Sequence, residues 1–332
     1  MKAIHMTATG PADEVLRLVD IDEPGITAPG QIKVQLKAAG INPIDTKLRS
    51  RGLLYPDALP AILGCDGAGI VTAAGSDTKR FKPGDEVWFC HGGLGAAPGN
   101  YAEFTVLDES EAEHKPASLG FDMAAALPLV AITAWEALFD RAHLGKDQTV
   151  LIHGGAGGVG HIAIQLARVA GARIATTVSS AEKASQAEQL GAECSIDYLQ
   201  HNFVDAVMEW TAGRGVDVVL DSVGGETFRN SLAATTVYGQ VVTLLDPGNN
   251  VDWKEARNRN LGIHFTLMLT PMLQDLPKAR RHQGEILRQC AEMIEAGTLK
   301  PLLSASLPLQ DAARAQRLLE TGHVQGKIVL TM

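Results

Sequence analysis

The 332-residue chain is 45% hydrophobic and 20% charged, a balance that lets a soluble protein bury a sizeable core and, at this length, points to about two domains. Its 29 Lys and Arg against 38 Asp and Glu give a net charge of −9, which argues against nucleic acid or an anionic membrane as the main partner. No run of about 18 apolar residues is present to cross a membrane. Cys65, Cys90, Cys194 and Cys290 lack C-x-x-C spacing, so no disulfide framework or zinc knuckle is indicated and a reduced, cytoplasmic setting is expected.

The first residues, Met1-Lys-Ala-Ile-His-Met6, lack a signal peptide's apolar core and read as a strand. On to about residue 125 the texture is β-rich. Short alternating runs at 31–36 and 86–89 sit between Pro-Gly breaks at 24–25, 29–30 and 83–84. Residues 91–99, with four glycines and small neighbours, predict a mobile loop. A more helical, alanine-rich section begins at 118–126.

Next comes Gln148-Thr-Val-Leu-Ile-His-Gly-Gly-Ala-Gly-Gly-Val-Gly160. Residues 150–152 are a short apolar run suited to a buried parallel strand. Gly155, Gly157 and Gly160 supply G-x-G-x-x-G, and Ile162, Ala163, Leu166, Ala167 and Ala170 follow at helical spacing, with a stop at Gly171. In such a loop the first glycine allows a tight turn, the second lets backbone approach a pyrophosphate, and the third lets helix and strand pack closely. Ala156, Gly158 and Val159 complete the loop, at a helix start whose free N–H groups favour phosphate.

Strand and helix then alternate, with strands over 150–152, 173–178, 216–220 and 240–244 and helices over 181–190 and 202–211. This is the pattern of an α/β domain with a doubly wound parallel sheet. Residues 264–267 suit its last strand, followed by helices over 285–295 and 311–320 and a closing strand over 327–330.

Several segments in order resemble one family: Gly40-Ile-Asn-Pro-Ile-Asp45, Gly64-Cys-Asp-Gly-Ala-Gly-Ile-Val71, Phe81-Lys-Pro-Gly-Asp-Glu-Val87, Asn100-Tyr-Ala-Glu103, Leu127-Pro-Leu-Val-Ala-Ile-Thr-Ala-Trp135, the glycine motif, Asp221-Ser-Val-Gly-Gly225 and Gly326-Lys-Ile-Val-Leu330. Together they resemble the medium-chain dehydrogenase/reductases, and within them the zinc-independent quinone oxidoreductase (zeta-crystallin-like) branch, nearly end to end. The resemblance implies a Rossmann NADP(H)-binding domain at 127–265 and a β-rich GroES-like substrate domain built from 1–126 and 266–332, with the active site in the cleft between them. It also implies that residues 264–268 form an edge strand pairing two copies into a homodimer.

Zinc alcohol dehydrogenases of this superfamily hold their metal with a cysteine near Asn42, a histidine near Cys65 and a second cysteine near Leu129. Only Cys65 can ligate here, Cys90-His91 is a poor set, and the cysteine-rich lobe for structural zinc is absent. With three protein ligands normally needed, no zinc is expected.

NAD sites place an acidic residue about twenty residues past the glycines. Here Ser179 takes that place; its hydroxyl can donate to a 2′-phosphate that a carboxylate would repel. Lys183, one turn into the next helix, can add charge. Tyr198 matches a tyrosine that relatives place against the adenine ribose phosphate. The set favours NADPH.

Without a Lewis acid the remaining task is hydride delivery to a quinone or to the β-carbon of an enone, with a hydrogen-bond donor for the carbonyl oxygen. Asn42 is the candidate for orienting nicotinamide or substrate, or else a turn residue before Pro43. Asp45 fixes local hydrogen bonds or caps a helix over 46–51. Lys47 stands where relatives carry tyrosine, and Tyr55 and Trp88 are the aromatic candidates. Thr133 resembles a position lining the nicotinamide, and Leu245 and Pro247 border that pocket through backbone groups. A zinc-type alcohol dehydrogenase and a non-catalytic, crystallin-like NADPH binder stay open as alternatives.

Overall fold

Residues 1–55 and 57–332 are described by the computed structural model. By contact they divide into two units, Met1–Leu129 with Leu269–Gly297 and Pro301–Met332, and Val130–Met268 with Thr298–Lys300.

The first unit opens with β1 (Lys2–Met6), β2 (Leu16–Asp20), β3 (Gln31–Ile41), β4 (Ala61–Ile62), β5 (Asp66–Ala74), β6 (Glu86–Cys90), β7 (Phe104–Asp108) and β8 (Ala112–His114). β1 lies between β2 and β4 in a small antiparallel sheet. β3 is the spine of the larger one. Ile32, Val34 and Leu36 turn into the core with Val71, Val87 and Phe89, while Gln31, Lys33 and Gln35 do not, so this half alternates as the sequence predicts. The strand continues to Ile41 beyond the predicted run because Ala38, Ala39 and Gly40 are all buried, which erases the period-2 signal. Its first half pairs with β7 and nearly its whole length with β5.

The loop predicted to be mobile over 91–99 is pinned at its start and interior. His91 N–H donates to Cys65 O at 2.7 Å, Asn100 Nδ2 to His91 O at 3.0 Å, Gly93 N–H to Ala97 O at 3.1 Å, and Leu94 is buried. Small residues there serve close packing.

The second unit carries β9 (Thr149–Ile152), β10 (Arg173–Val178), β11 (Cys194–Asp197), β12 (Val216–Asp221), β13 (Thr235–Thr243) and β14 (Gly262–Phe265), all parallel, in the order β11-β10-β9-β12-β13-β14. The central strands are apolar on both faces because helices cover both. Strand order reverses at β9, and in such sheets ligands bind outside the carboxyl ends of the strands at that switch point. The helix Gly158–Val169 buries Ile162, Ala163, Leu166 and Ala167 and stops before Gly171, whose φ is +78°. The helix Ala181–Leu190 has the predicted bounds, and Phe203–Trp210 starts one residue later than expected because Asn202 caps it, accepting from Val204 N–H at 2.8 Å.

The chain returns to the first unit with the helix Pro277–Glu295, β15 (Leu303–Pro308), the helix Ala312–Glu320 and β16 (Lys327–Thr331), giving a larger sheet ordered β15-β16-β3-β5-β6-β8. The helix Pro277–Glu295 begins eight residues before the predicted start. Its first turns bury Arg280, Gln283 and Gly284 rather than apolar side chains, so hydrophobic periodicity does not report them.

Candidate functional site

Immediately after β9 the chain turns at Gly154 (φ +70°) and enters the helix Gly158–Val169 with Gly157 as its N-cap. The left-handed turn thus falls to Gly154, not to Gly155 as the motif suggests. Gly155 is needed for contact: a Cβ there would lie 2.1 Å from Thr176 Oγ1 on β10. At Gly160 a Cβ would lie 2.2 Å from Gly154 O, so the third glycine lets the helix sit on the turn, as predicted. The first-turn N–H groups of Gly158, Val159 and Gly160 have no intrahelical acceptor. With Ala156 they line a backbone cradle that fits a pyrophosphate at the switch point.

One strand over, Ser179 and Lys183 come together at the end of β10, with Lys183 Nζ donating to Ser179 Oγ at 3.1 Å. Ser180 caps the following helix, so the lysine is held one turn above the serine. Tyr198 is half exposed just past β11, and its N–H donates to Val178 O at 3.1 Å, tying it to the same strand end. Thr133 is buried on the helix Pro128–Trp135. Leu245 follows β13 with its N–H and carbonyl both engaged by Thr243 Oγ1, and Pro247 is buried.

Neither His153 nor Asp221 has a role legible in the sequence. His153 is wedged between Thr177 Oγ1 (3.1 Å) and Ser231 Oγ (3.0 Å), and burial lowers its pKa to about 4, which holds it neutral. Asp221, at the end of β12, accepts from Val223 and Gly224 N–H and from Thr243 Oγ1, fixing the turn into the helix Gly225–Ala234.

In the first unit Asn42 precedes the helix Pro43–Arg51, and Asp45 sits inside that helix's first turn, so the expected start at residue 46 is three residues late. Asp45 Oδ2 accepts from Asn42 N–H and from Tyr101 OH, each at 2.8 Å. The Asn42 side chain faces the other way. Its Nδ2 donates to Asp66 Oδ2 at 2.8 Å, and Lys327 Nζ donates to its Oδ1 and, at 2.7 Å, to Ile41 O. Leu129 N–H donates to Asp66 Oδ1 at 2.8 Å. All four side chains are at most 4% exposed. Burial raises the pKa of both Asp45 and Asp66 to about 6, opposed in part by Lys327 and the hydrogen bonds, and burial lowers that of Lys327, opposed by the two carboxylates. Asn42 is therefore a positioned amide, held at both ends by buried charges. Its partners lie 24 and 285 residues away in sequence, so no local spacing marks Asp66 or Lys327 as belonging with Asn42.

Lys47 lies outside this cluster. It is half-buried, makes no ion pair among the described residues, and has its pKa lowered by burial and by Arg51. Tyr55 lies apart too, lining a cavity with His91 and Met272. Trp88 is fully buried on β6, opposite Ala68, and belongs to the core rather than to a site.

The family implies a metal in some of its members, and this donor set does not fit zinc. The position facing Asp66 is an amide, Leu129 offers only backbone, and the Cys65 thiol is buried and hydrogen-bonded with Cys90, with a pKa well above the ordinary value. The Lys327 ammonium already sits among these groups. No group of three or more His, Cys, Asp or Glu is arranged to hold a metal among the described residues.

Residues 28–117 match the family described as alcohol dehydrogenase GroES-like domain, and residues 190–330 the family described as zinc-binding dehydrogenase. The chain is 36% identical to quinone oxidoreductase 1 of Escherichia coli over 323 residues, spanning 96% of this chain and 95% of that one. Among solved structures it is similar to an alcohol dehydrogenase superfamily protein from Novosphingobium aromaticivorans (TM-score 0.92, 36% identity, 100% and 99% of the two chains). It is also similar to E. coli quinone oxidoreductase complexed with NADPH (TM-score 0.89, 32% identity, all of both chains). With the 3-2-1-4-5-6 sheet, the glycine cradle and a GroES-like domain in one chain, the protein belongs to the medium-chain dehydrogenase/reductase superfamily, in its quinone oxidoreductase branch.

Proposed function

We propose that this chain is an NADPH-dependent oxidoreductase that reduces quinones or other α,β-unsaturated carbonyls without a catalytic zinc. The observation that carries the reading is the Ser179–Lys183 pair at the end of the second Rossmann strand, 3.1 Å apart, where an NAD site would hold a carboxylate. Residues 127–265 serve as the cofactor domain, and residues 1–126 with 266–332 as the substrate domain.

The residues fit NADPH in assigned roles. Gly155 to Gly160 hold the pyrophosphate on backbone N–H groups, Ser179 and Lys183 take the 2′-phosphate, and Tyr198 lies against the adenine ribose. Thr133, Leu245 and Pro247 border the nicotinamide, and Asn42 orients nicotinamide or substrate through the remaining N–H of its amide. The cofactor supplies a hydride when bound. An acceptor reduced without a Lewis acid must already be electrophilic, which selects quinones and conjugated carbonyls over simple alcohol–ketone chemistry. Asp45 acts by positioning Asn42. The protein acts in the cytoplasm as a homodimer paired through β14, the edge of the Rossmann sheet.

Paired fluorescence titrations with NADPH and NADH, followed by turnover with 1,4-benzoquinone and 2-cyclohexenone, test the reading. Tight NADPH binding with NADPH consumption is expected. NADH preference overturns the cofactor assignment, stoichiometric zinc by elemental analysis revives a zinc dehydrogenase, and binding without turnover of either acceptor overturns the reductase.

A further inference from the structure

His153, the residue after β9, ties together four elements of the second unit around the glycine turn, and it is 1% exposed. Its N–H donates to Leu220 O of β12 at 3.0 Å, and its carbonyl accepts from Ser222 Oγ, just beyond that strand, at 2.9 Å. Its ring meets Thr177 Oγ1 of β10 at 3.1 Å through Nδ1, and Ser231 Oγ of the helix Gly225–Ala234 at 3.0 Å through Nε2. β10 and β12 flank β9, so the imidazole spans the point where strand order reverses. The Phe203 ring stands nearly perpendicular to it, with centroids 4.8 Å apart.

The partners' own bonds fix where each proton points. Ser231 Oγ donates to Thr227 O at 2.7 Å. A hydroxyl has a single proton, so toward the ring Ser231 can only accept, and Nε2 is the nitrogen that carries the ring proton. Burial keeps His153 neutral against the pull of Asp221, and a neutral imidazole has one N–H, so Nδ1 is an acceptor. Thr177 Oγ1 therefore donates to Nδ1, which leaves its lone pairs for the Gly154 N–H that donates to it at 3.1 Å. The run from Gly154 N–H through Thr177 O–H, His153 Nε2–H and Ser231 O–H ends on Thr227 O with each of these donors used once. Thr177 also accepts from Gly155 N–H on its carbonyl at 3.1 Å. One threonine thus anchors the two successive amides that open the phosphate loop, and the tautomer of His153 sets the direction of its hydroxyl.

We propose that the Nε2-protonated imidazole of His153 is a positioning residue for the cofactor: it turns the Thr177 hydroxyl so that Gly154 is held in the turn that presents the following amides to the pyrophosphate. The inference rests on the NADPH reading above. Gly154 adopts φ +70°, a conformation that glycine enters and leaves freely, so the turn takes its shape from what bonds it. A loop ordered in advance spares the cofactor the entropy of ordering it on binding. Thr177 also stands two residues before Ser179, so the same bonds fix the strand end that offers the 2′-phosphate its hydroxyl. His153 and Thr177 act through the backbone of the turn, as positioning groups beneath the residues that meet the phosphates.

The test uses the full-length protein. In nitrogen-15 NMR of the histidine-labelled wild type, with His153 assigned through its contacts to the Phe203 ring, a protonated Nε2 and a bare Nδ1 are expected at pH 7. The Nδ1–H tautomer or a doubly protonated ring overturns the proposal, and this measurement needs no variant to fold. Thr177→Val keeps the shape and removes the hydroxyl, and it should raise the NADPH Kd by about 10-fold or more in a fluorescence titration. Thr177→Ser restores the hydroxyl and should stay within about 3-fold of the wild type. His153→Phe should weaken binding as Thr177→Val does, and the double variant should add little, because both cut one run of bonds. A purely structural pair would lower the thermal midpoint and leave the NADPH affinity of the folded protein unchanged; that result, or additive losses, overturns the proposal. A wild type that binds no NADPH fails the parent reading and takes this one with it, whereas wild-type binding that Thr177→Val leaves intact fails this one alone.

Discussion

Lys183 is the residue on which the cofactor reading turns. A charge-assisted hydrogen bond to phosphate is worth about 1.5–3 kcal/mol, so Lys183→Ala should weaken NADPH binding by about 10- to 100-fold in a fluorescence titration and leave NADH untouched. Equal weakening of both would assign the lysine elsewhere. This pair is legible in the sequence because both members lie at a countable distance from the glycines, on an element boundary that composition marks. The Asn42–Asp66–Lys327 cluster and a His91–Glu111–Arg280 cluster, also in the first unit, are not, because a buried charge identifies itself only by its partner and those partners come from remote strands and helices. The buried carboxyls Asp45 and Glu111 titrate with opposite signs. Burial raises Asp45 from 3.8 to about 6, so between pH 4 and 6 the folded state keeps a proton the unfolded state has lost; the stability from this group is full below pH 4 and falls as pH rises toward 6. Glu111 is depressed from 4.5 to about 2, so its stability is full above pH 4.5 and is lost as pH falls toward 2. Urea denaturation of Asp45→Asn should therefore show a flatter pH 4–6 slope, by up to about 3 kcal/mol over that span. An unchanged slope would mean that Asp45 does not titrate there.

At the scale of elements, the turn between β9 and the helix Gly158–Val169 is set by contact rather than by flexibility. Thr176 Oγ1 donates to Ile152 O at 2.6 Å and occupies the space beside Gly155, so the side chain of β10 and the backbone of the turn are fitted to each other. Gly155→Ala should cost about 1–3 kcal/mol as overpacking and displace the loop enough to weaken NADPH binding. Adding Thr176→Ala should recover much of both. A double-mutant cycle reads the coupling, and strictly additive losses would show that the clash is relieved elsewhere. The strands and helices of this unit are legible because each central strand is a short apolar run and each helix an amphipathic one. In the first unit the signal fades where small residues replace alternation, as at Ala38 to Gly40, and where a helix begins on buried polar groups, as at Arg280 and Gln283.

At the scale of the whole molecule, the Rossmann sheet ends on β14, whose one partner strand among the described residues is β13. Phe265 is 59% exposed at its end and Leu267 54% just beyond, while Tyr238, near the neighbouring edge of β13, is 73% exposed. An unpaired edge flanked by apolar side chains associates with another strand unless it is blunted by charge, proline or a covering loop. Pairing two β14 strands about a two-fold axis would extend the sheet across both copies and cover those side chains at once, the self-complementary geometry of a C2 dimer. The expected outcome is a dimer mass by light scattering for the wild type. Phe265→Lys with Leu267→Lys should convert it to a monomer, because each copy would bring like charges to the same edge. NADPH affinity should change little in that monomer, since the glycine cradle and the Ser179–Lys183 pair lie within one copy of the second unit. A wild-type monomer, or a dimer that survives both lysines, would place the assembly surface elsewhere.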